Sequence, residues 1–486
     1  MYIQNLRLQN FRKFEDQTFG FHPKFTAIIG DNAAGKTQIL DALAVILGSF
    51  QSKLSHSSNA PRDIRREEVR VQISLLDAML PSEETQYPVT VSSAVIYQKT
   101  SYRILRTKRS DNGRTTYNGK NPLFTILEKQ GSQVQAGEGV FLPLLAYYGT
   151  GRAQHLKRHR LSVGKLASRF KGYHSSLDPN ADLKVIQEWV SLQALATVQN
   201  GQETRPMRLL KQALQILIPG CCGLKYDVGH AGNYLQFETG ELELLENTSD
   251  GYRSMTLMLM DLIRRWTILN PHTEDLSQVY GVVLIDELDL FLHPRWQRRV
   301  VGDLQKTFPN VQFVATTHSP FIIQSVQDGC VLDLENMENI QKPGTASPAP
   351  TAEYESRSIE DITEDLMGVT IPQRSRRYHE MYETAKEYYT LLHSTAVSEE
   401  EKSWSKRMET QSKAQRAKDN LRRADSLAMR DQIQDTIVSH FSIWLSVFRD
   451  DPDMCRRIFQ NFPGTSDCLQ INADGNLCAI PRAVDV

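Results

Sequence analysis

Cysteine is scarce, at six in 486 residues. Only Cys221 and Cys222 are adjacent and no Cys-x-x-Cys spacing occurs, which excludes a disulfide-stapled scaffold and a thiolate zinc site and leaves the reduced thiols of a cytosolic protein. Long apolar runs are missing too. Nothing approaches the ~18 consecutive residues of a membrane-spanning helix, and the opening MYIQNLRLQNFRKF carries charge every few residues in place of a signal-peptide core. The expectation is a soluble, cytoplasmic chain with no membrane association. Excess charge of one sign is also absent: 56 Lys and Arg stand against 57 Asp and Glu, a net charge of −1. That balance removes the whole-chain basic footprint of a protein that coats nucleic acid, so any such contact has to be local. No internal repeat of fixed period and no sustained heptad pattern occurs, which excludes a solenoid and a long coiled coil. What is present is length, enough for two or three packed units.

Periodicity divides the chain. Residues 2–8 and 18–21 read as alternating strands, Phe25–Ile29 as a buried strand, and 38–47 as a helix stopped by Gly48. β-type runs with turn signals fill 69–106, Asp111-Asn-Gly113 marks a hairpin turn, and Val140–Tyr148 is a further strand. Helical spacing dominates 165–218 until Pro219-Gly220, and a long helix spans 248–270. Val282–Ile285 and Val311–Thr316 are continuous apolar strands separated by a polar loop and helix, the pattern of a parallel sheet covered on both faces. The stretch QKPGTASPAP at 341–350 is a linker. Beyond it the chain reads as helix-rich, with dense mixed charge between Glu399 and Arg430.

Three motifs carry chemistry. Gly30-Asp-Asn32-Ala33-Ala34-Gly35-Lys36-Thr37 fits GxxxxGK[ST] between a predicted strand and a predicted helix, the context the motif requires. Its glycines let backbone N–H groups curl around phosphates at the positive end of a helix, Lys36 reaches the β- and γ-phosphates, and the Thr37 hydroxyl ligates magnesium. The strand Val282-Val-Leu-Ile delivers Asp286 and Glu287 to its C-terminal end. There Asp286 would hold magnesium and Glu287 would polarise the attacking water. A third apolar strand ends in Thr316-Thr-His318, where the imidazole is placed to sense or stabilise a γ-phosphate. ATP and Mg²⁺ are the cofactors this set calls for.

In order and spacing the set resembles the ABC-type ATPase superfamily, in its SMC-like and RecF-like soluble branch. Leu6-Arg-Leu-Gln-Asn-Phe-Arg12-Lys-Phe14 is similar to that branch's opening strand, Thr248-Ser249-Asp-Gly251 to its signature, Leu288-Asp289-Leu-Phe-Leu-His293-Pro294 to its D-loop, and His318 to its switch histidine. Thr248 departs from the usual leucine, and Gln98 is a Q-loop candidate by position only. The resemblance implies an α/β fold, with an ABC-type P-loop ATPase head carrying a helical insertion and a C-terminal helix-rich accessory region. It also implies a homodimer or higher homo-oligomer, in which ATP on Arg12, Lys36 and Thr37 of one copy is closed over by Ser249 and Gly251 of another. Within the branch, GDNAAGKT, LLAYYGTGR, LIDELDLFLHPRWQRRVV and SIEDITEDLMGV look like the ATPases of Septu-type anti-phage systems and their retron-linked relatives, which work with a separate HNH-type endonuclease chain. The rival reading is a RecF-type repair ATPase that clamps DNA.

The organisation expected is a head built from 1–164 and 246–340, a helical insertion over 165–245, a linker at 341–354, and an accessory region at 355–486 that docks a partner. Arg152 to Lys171 holds seven Lys or Arg, two His and no acid, which makes it the candidate nucleic-acid contact. Asp451-Pro-Asp453 lacks the strand setting of a Toprim nuclease and no His-Asn-His arrangement stands out, so no intrinsic nuclease is expected.

Overall fold

The computed structural model describes residues 1–55, 62–74, 82–117, 119–153, 168–179, 184–227 and 232–335, together with 359, 362–363, 469–471 and 477–479. The chain divides into two units, Met1–Pro372 and Gln373–Val486. In the first, strands β1 (Tyr2–Phe11), β2 (Phe14–Gly20) and β3 (Phe25–Ile29) lead through residues 30–35 into helix α1 (Lys36–Ser55). A hairpin of β4 (Val71–Ser74) and β5 (Ser82–Thr85) precedes β6 (Val89–Tyr97), β7 (Thr100–Lys108), β8 (Thr116–Tyr117), α2 (Pro122–Gln135) and β9 (Leu144–Tyr148). Helices α3 (Lys184–Asn200) and α4 (Arg205–Leu217) are followed by β10 (Cys221–Asp227), β11 (Gly232–Phe237), β12 (Leu242–Leu244) and α5 (Asp250–Leu269). Then come β13 (Tyr280–Ile285), α6 (Pro294–Thr307), β14 (Asn310–Thr316), α7 (Pro320–Ser325) and β15 (Cys330–Asp333).

Two sheets organise this unit. The parallel one runs β15-β3-β14-β13-β9, and nearly every residue of its strands is buried, which is why they read as unbroken apolar runs. The antiparallel one runs β2-β1-β6-β7-β8 and alternates, with Leu6, Leu8, Val91, Val95 and Ile104 turned into the core. Helix α1 touches β6 and β7 on one side and β13 and β14 on the other. A helix packed between two sheets needs apolar residues around its whole circumference, as Ile39 to Leu47 provide.

Gly48 does not stop this helix, which continues to Ser55. A Cβ at Gly48 would sit 2.8 Å from the Arg62 backbone nitrogen, so the glycine is there to let a neighbouring segment cross close to the helix. The insertion expected to be helical over 165–245 holds α3 and α4 but also the antiparallel sheet β10-β11-β12, whose short strands lie beyond the Pro219-Gly220 break. The linker at 341–354 lies outside the described residues, yet Ile362 is 0% exposed and belongs to the core of the first unit. In the second unit, β16 (Leu469–Ile471) pairs antiparallel with β17 (Leu477–Ala479). Most of the region expected to be helix-rich lies outside the described residues. Among those residues, no helix is long and apolar enough to cross a membrane.

Candidate nucleotide-binding and hydrolysis site

Parallel α/β sheets bind ligands beyond the C-terminal ends of their strands, and three adjacent strands deliver the predicted residues there. The loop after β3 turns on Gly30 at φ +141°, Ala33 at +68° and Gly35 at +103°. The left-handed Ala33 costs a non-glycine residue about 1–2 kcal/mol, so surrounding contacts have to hold the loop. Lys13 on the β1–β2 turn provides one, its Nζ donating to the Ala33 carbonyl at 3.2 Å. Phe14 provides another: a Cβ on Gly35 would lie 2.6 Å from its ring. Lys36 donates to the carbonyls of Gly30 at 2.7 Å and Asp31 at 2.9 Å. Burial draws its pKa below the ordinary lysine value, while the charges of Asp286 and Glu287 work against that shift.

Thr37, the second residue of α1, donates its hydroxyl to the Asp286 carboxylate, 3.0 and 3.2 Å from the two oxygens. Asp286 is buried, follows β13 directly and donates its N–H to the Tyr148 carbonyl at the end of β9. A hydroxyl and a carboxylate brought together in this way form a hard oxygen donor set suited to magnesium. Glu287 has φ +50°, a strained conformation fixed by its N–H donating to Thr316 Oγ1 at 2.7 Å. The same Thr316 hydroxyl donates to Asp286 Oδ1 at 2.6 Å. One side chain at the end of β14 thus holds the Asp286 carboxylate and the Glu287 backbone. Asp289 fixes the histidine strand end in turn, accepting from Thr317 Oγ1 at 2.6 Å and from the exposed His318's backbone N–H at 3.2 Å.

Ser249 caps α5, its Oγ accepting from Tyr252 N–H, and Gly251 packs so closely that a Cβ would lie 2.5 Å from the Phe291 carbonyl oxygen. The signature therefore rests on the segment after Glu287. No hydrogen bond among the described residues joins Ser249 or Gly251 to the loop at 30–37. Arg12, at φ +49°, donates to Asp41 at 2.9 Å and lies 3.8 Å from Glu68. Gln98 forms with Lys99 the two-residue turn between β6 and β7, both at positive φ, so hairpin geometry accounts for it. Most of the basic segment 152–171 lies outside the described residues.

Sequence reasoning missed Thr316, and the only trace of it was its place two residues before His318. It missed Lys13 and also Glu335, whose carboxylate accepts from the Asp31 N–H at the entrance to the loop. Glu335 follows a short strand that carries no motif.

A family model described as an AAA domain matches residues 5–216, and one described as "AAA domain, putative AbiEii toxin, Type IV TA system" matches 245–324. The retron Ec83 probable ATPase of Escherichia coli is 24% identical over 409 residues, spanning 70% of this chain and 73% of that protein. Septu protein PtuA of Bacillus mycoides is 24% identical over 350 residues, spanning 69% of this chain and 41% of that protein. The chain is similar to retron and Septu ATPases over most of its length. Its fold is an α/β P-loop ATPase fold, and the two family matches cover the two stretches that carry the candidate site. Among solved structures, the SMC head domain from Thermotoga maritima covers 68% of this chain and 94% of its own at 16% identity, with a TM-score of 0.36.

Proposed function

We propose that this chain is the ATP-binding and ATP-hydrolysing subunit of an anti-phage defence complex and that its nucleotide state governs a separate HNH-type endonuclease. The observation that carries the reading is the convergence of Lys36, Thr37, Asp286 and Glu287 at the ends of β3 and β13, in a chain similar to retron and Septu ATPases. Backbone N–H groups of 32–37 and the Lys36 ammonium receive the phosphates. Thr37 and Asp286 would hold magnesium, which when bound supplies positive charge against the phosphate oxygens. Glu287, held by Thr316, orients and polarises water, and His318 reads the γ-phosphate from the neighbouring strand end.

Because Gly251 packs on Phe291 and Ser249 caps its own helix, with no hydrogen bond among the described residues to the loop at 30–37, they are free to close a second copy's site. A homodimer then completes catalysis, and Arg12 adds a phosphate contact from the β1–β2 turn. Nucleotide that prefers the closed dimer supplies the differential affinity needed to move whatever the region after Pro372 holds. The test is phage challenge of cells carrying this chain and its HNH partner. Lys36→Ala should abolish ATP binding and protection while the chain remains folded, and full protection by that variant would contradict the proposal.

A further inference from the structure

The outer face of the antiparallel sheet carries a trough of about 500 Å³ that none of the ATPase chemistry uses. Its floor is the central strand β6, where Thr90 and Ser92 present short hydroxyl side chains. Register places Arg7 of β1 beside Ser92 on one wall, and Arg103 of β7 and Arg109, which directly follows that strand, lie on the other. Tyr87, its hydroxyl bonded to Asp111, lines the trough beside the start of β6. Among the described residues, no acidic side chain lines the trough. Arg7 is already neutralised by Asp16, at 2.8 and 2.6 Å, but Arg103 and Arg109 are exposed and have no acidic partner among the described residues.

We infer that this trough binds the phosphodiester backbone of a single-stranded nucleic acid. Two unpaired guanidiniums along one wall meet successive phosphates, hydroxyls on the floor donate to phosphate or sugar oxygens, and Tyr87 offers a ring on which a base can stack. Width selects the single strand. Walls one strand to either side of the floor stand about 10 Å apart, closer than the two duplex backbones that flank a ~12 Å B-DNA major groove, so the trough seats one backbone and not two. The trough also touches the strand that supports the nucleotide loop. Asn10 on β1 donates to the Pro88 carbonyl at 3.1 Å, and the same strand runs on to Arg12 and Lys13 against Ala33. This inference stands apart from control of a partner nuclease, and its failure leaves the reading of the ATP site untouched.

The test is fluorescence anisotropy of the full chain with labelled 20-nucleotide DNA and RNA single strands and the matching duplex, for wild type, R103E/R109E and R103K/R109K. The charge reversal should weaken single-strand binding at least tenfold and make the salt dependence shallower by one to two phosphate contacts. The lysine variant should stay within about threefold of wild type, and ATP binding should be unchanged in both. Which of the DNA and RNA strands binds more tightly identifies the source. The inference is overturned by no single-strand binding in wild type, by less than a twofold effect of charge reversal, or by equal affinity for the duplex. Displacement of the oligonucleotide by polyglutamate at equal charge would also overturn it, by assigning the trough to an acidic protein segment.

Discussion

Two clusters of arginine and carboxylate meet β9 through consecutive tyrosines, Tyr147 to Asp41 and Tyr148 to Asp261, and they are built differently. Beside α1, Asp41 and Glu68 share Arg12 and Arg62: Arg62 reaches Glu68 at 2.6 Å and Asp41 at 3.3 Å, and Arg12 is still 28% exposed. Burial raises the Asp41 pKa above the ordinary carboxylate value despite both guanidiniums, and the Nε atoms of Arg12 and Arg62 are buried without a partner. On α5, a single carboxylate, Asp261, takes Arg264 at 2.7 Å and Arg265 at 2.6 Å from its own helix and Tyr148 Oη at 2.9 Å from β9. Burial pushes Asp261 up, but Arg265 and Arg264 overcome it and hold its pKa below the ordinary value. The first cluster has slack in it, and its looser arginine adjoins the turn that braces the nucleotide loop. The second is satisfied and ties the signature helix to β9, whose Tyr148 carbonyl also holds Asp286. The contrast is between a loosely paired cluster on the loop side and a fully paired one on α5.

Substitutions test that contrast in order of expected size. Asp261→Asn removes the carboxylate between two buried arginines and should cost about 3–5 kcal/mol, read as a lowered thermal midpoint. The pH dependence has a definite sign. Because the folded pKa of Asp261 is depressed, its contribution is present above the ordinary carboxylate pKa and is lost as pH falls through the folded value. Asp41→Asn should cost only about 1–2 kcal/mol, because Glu68 still pairs Arg62 and because the raised pKa makes ionised Asp41 a cost that grows as pH rises from the ordinary value through the folded one. Equal losses in the two variants would break the comparison. Gly251→Ala should cost about 1–3 kcal/mol by overpacking against Phe291, a range that overlaps that of Asp41→Asn. That variant should lower ATP turnover about tenfold while leaving ATP binding within twofold, and unchanged turnover would detach Gly251 from catalysis.

These differences bear on what the residues alone could reveal. The strand-loop-helix at 25–55 and the strand ending in Asp286-Glu287 were legible because phosphate binding and parallel-sheet burial each impose a local pattern. Sequence patterning missed contacts made between distant segments. Gly48 read as a stop because its crossing partner, Arg62, lies in a separate segment. Thr316 read as strand although it holds the Asp286 carboxylate and the Glu287 backbone, since nothing local distinguishes a hydroxyl aimed at Asp286 from one that fills a pleat. The sheet at 221–244 was hidden by short strands that lack sustained alternation. The trough on the antiparallel sheet was hidden by register, because Arg7, Ser92 and Arg103 become neighbours only once β1, β6 and β7 pair.

The measurement that tests the central claim most directly is ATP binding and turnover by the Glu287→Gln chain, side by side. The substitution keeps size and the backbone bond to Thr316 but removes the charge proposed to polarise water. Turnover should fall at least a hundredfold, on the scale of general-base catalysis, while ATP binding stays within a few fold and bound ATP accumulates unhydrolysed. Turnover equal to that of the unaltered chain would contradict the account.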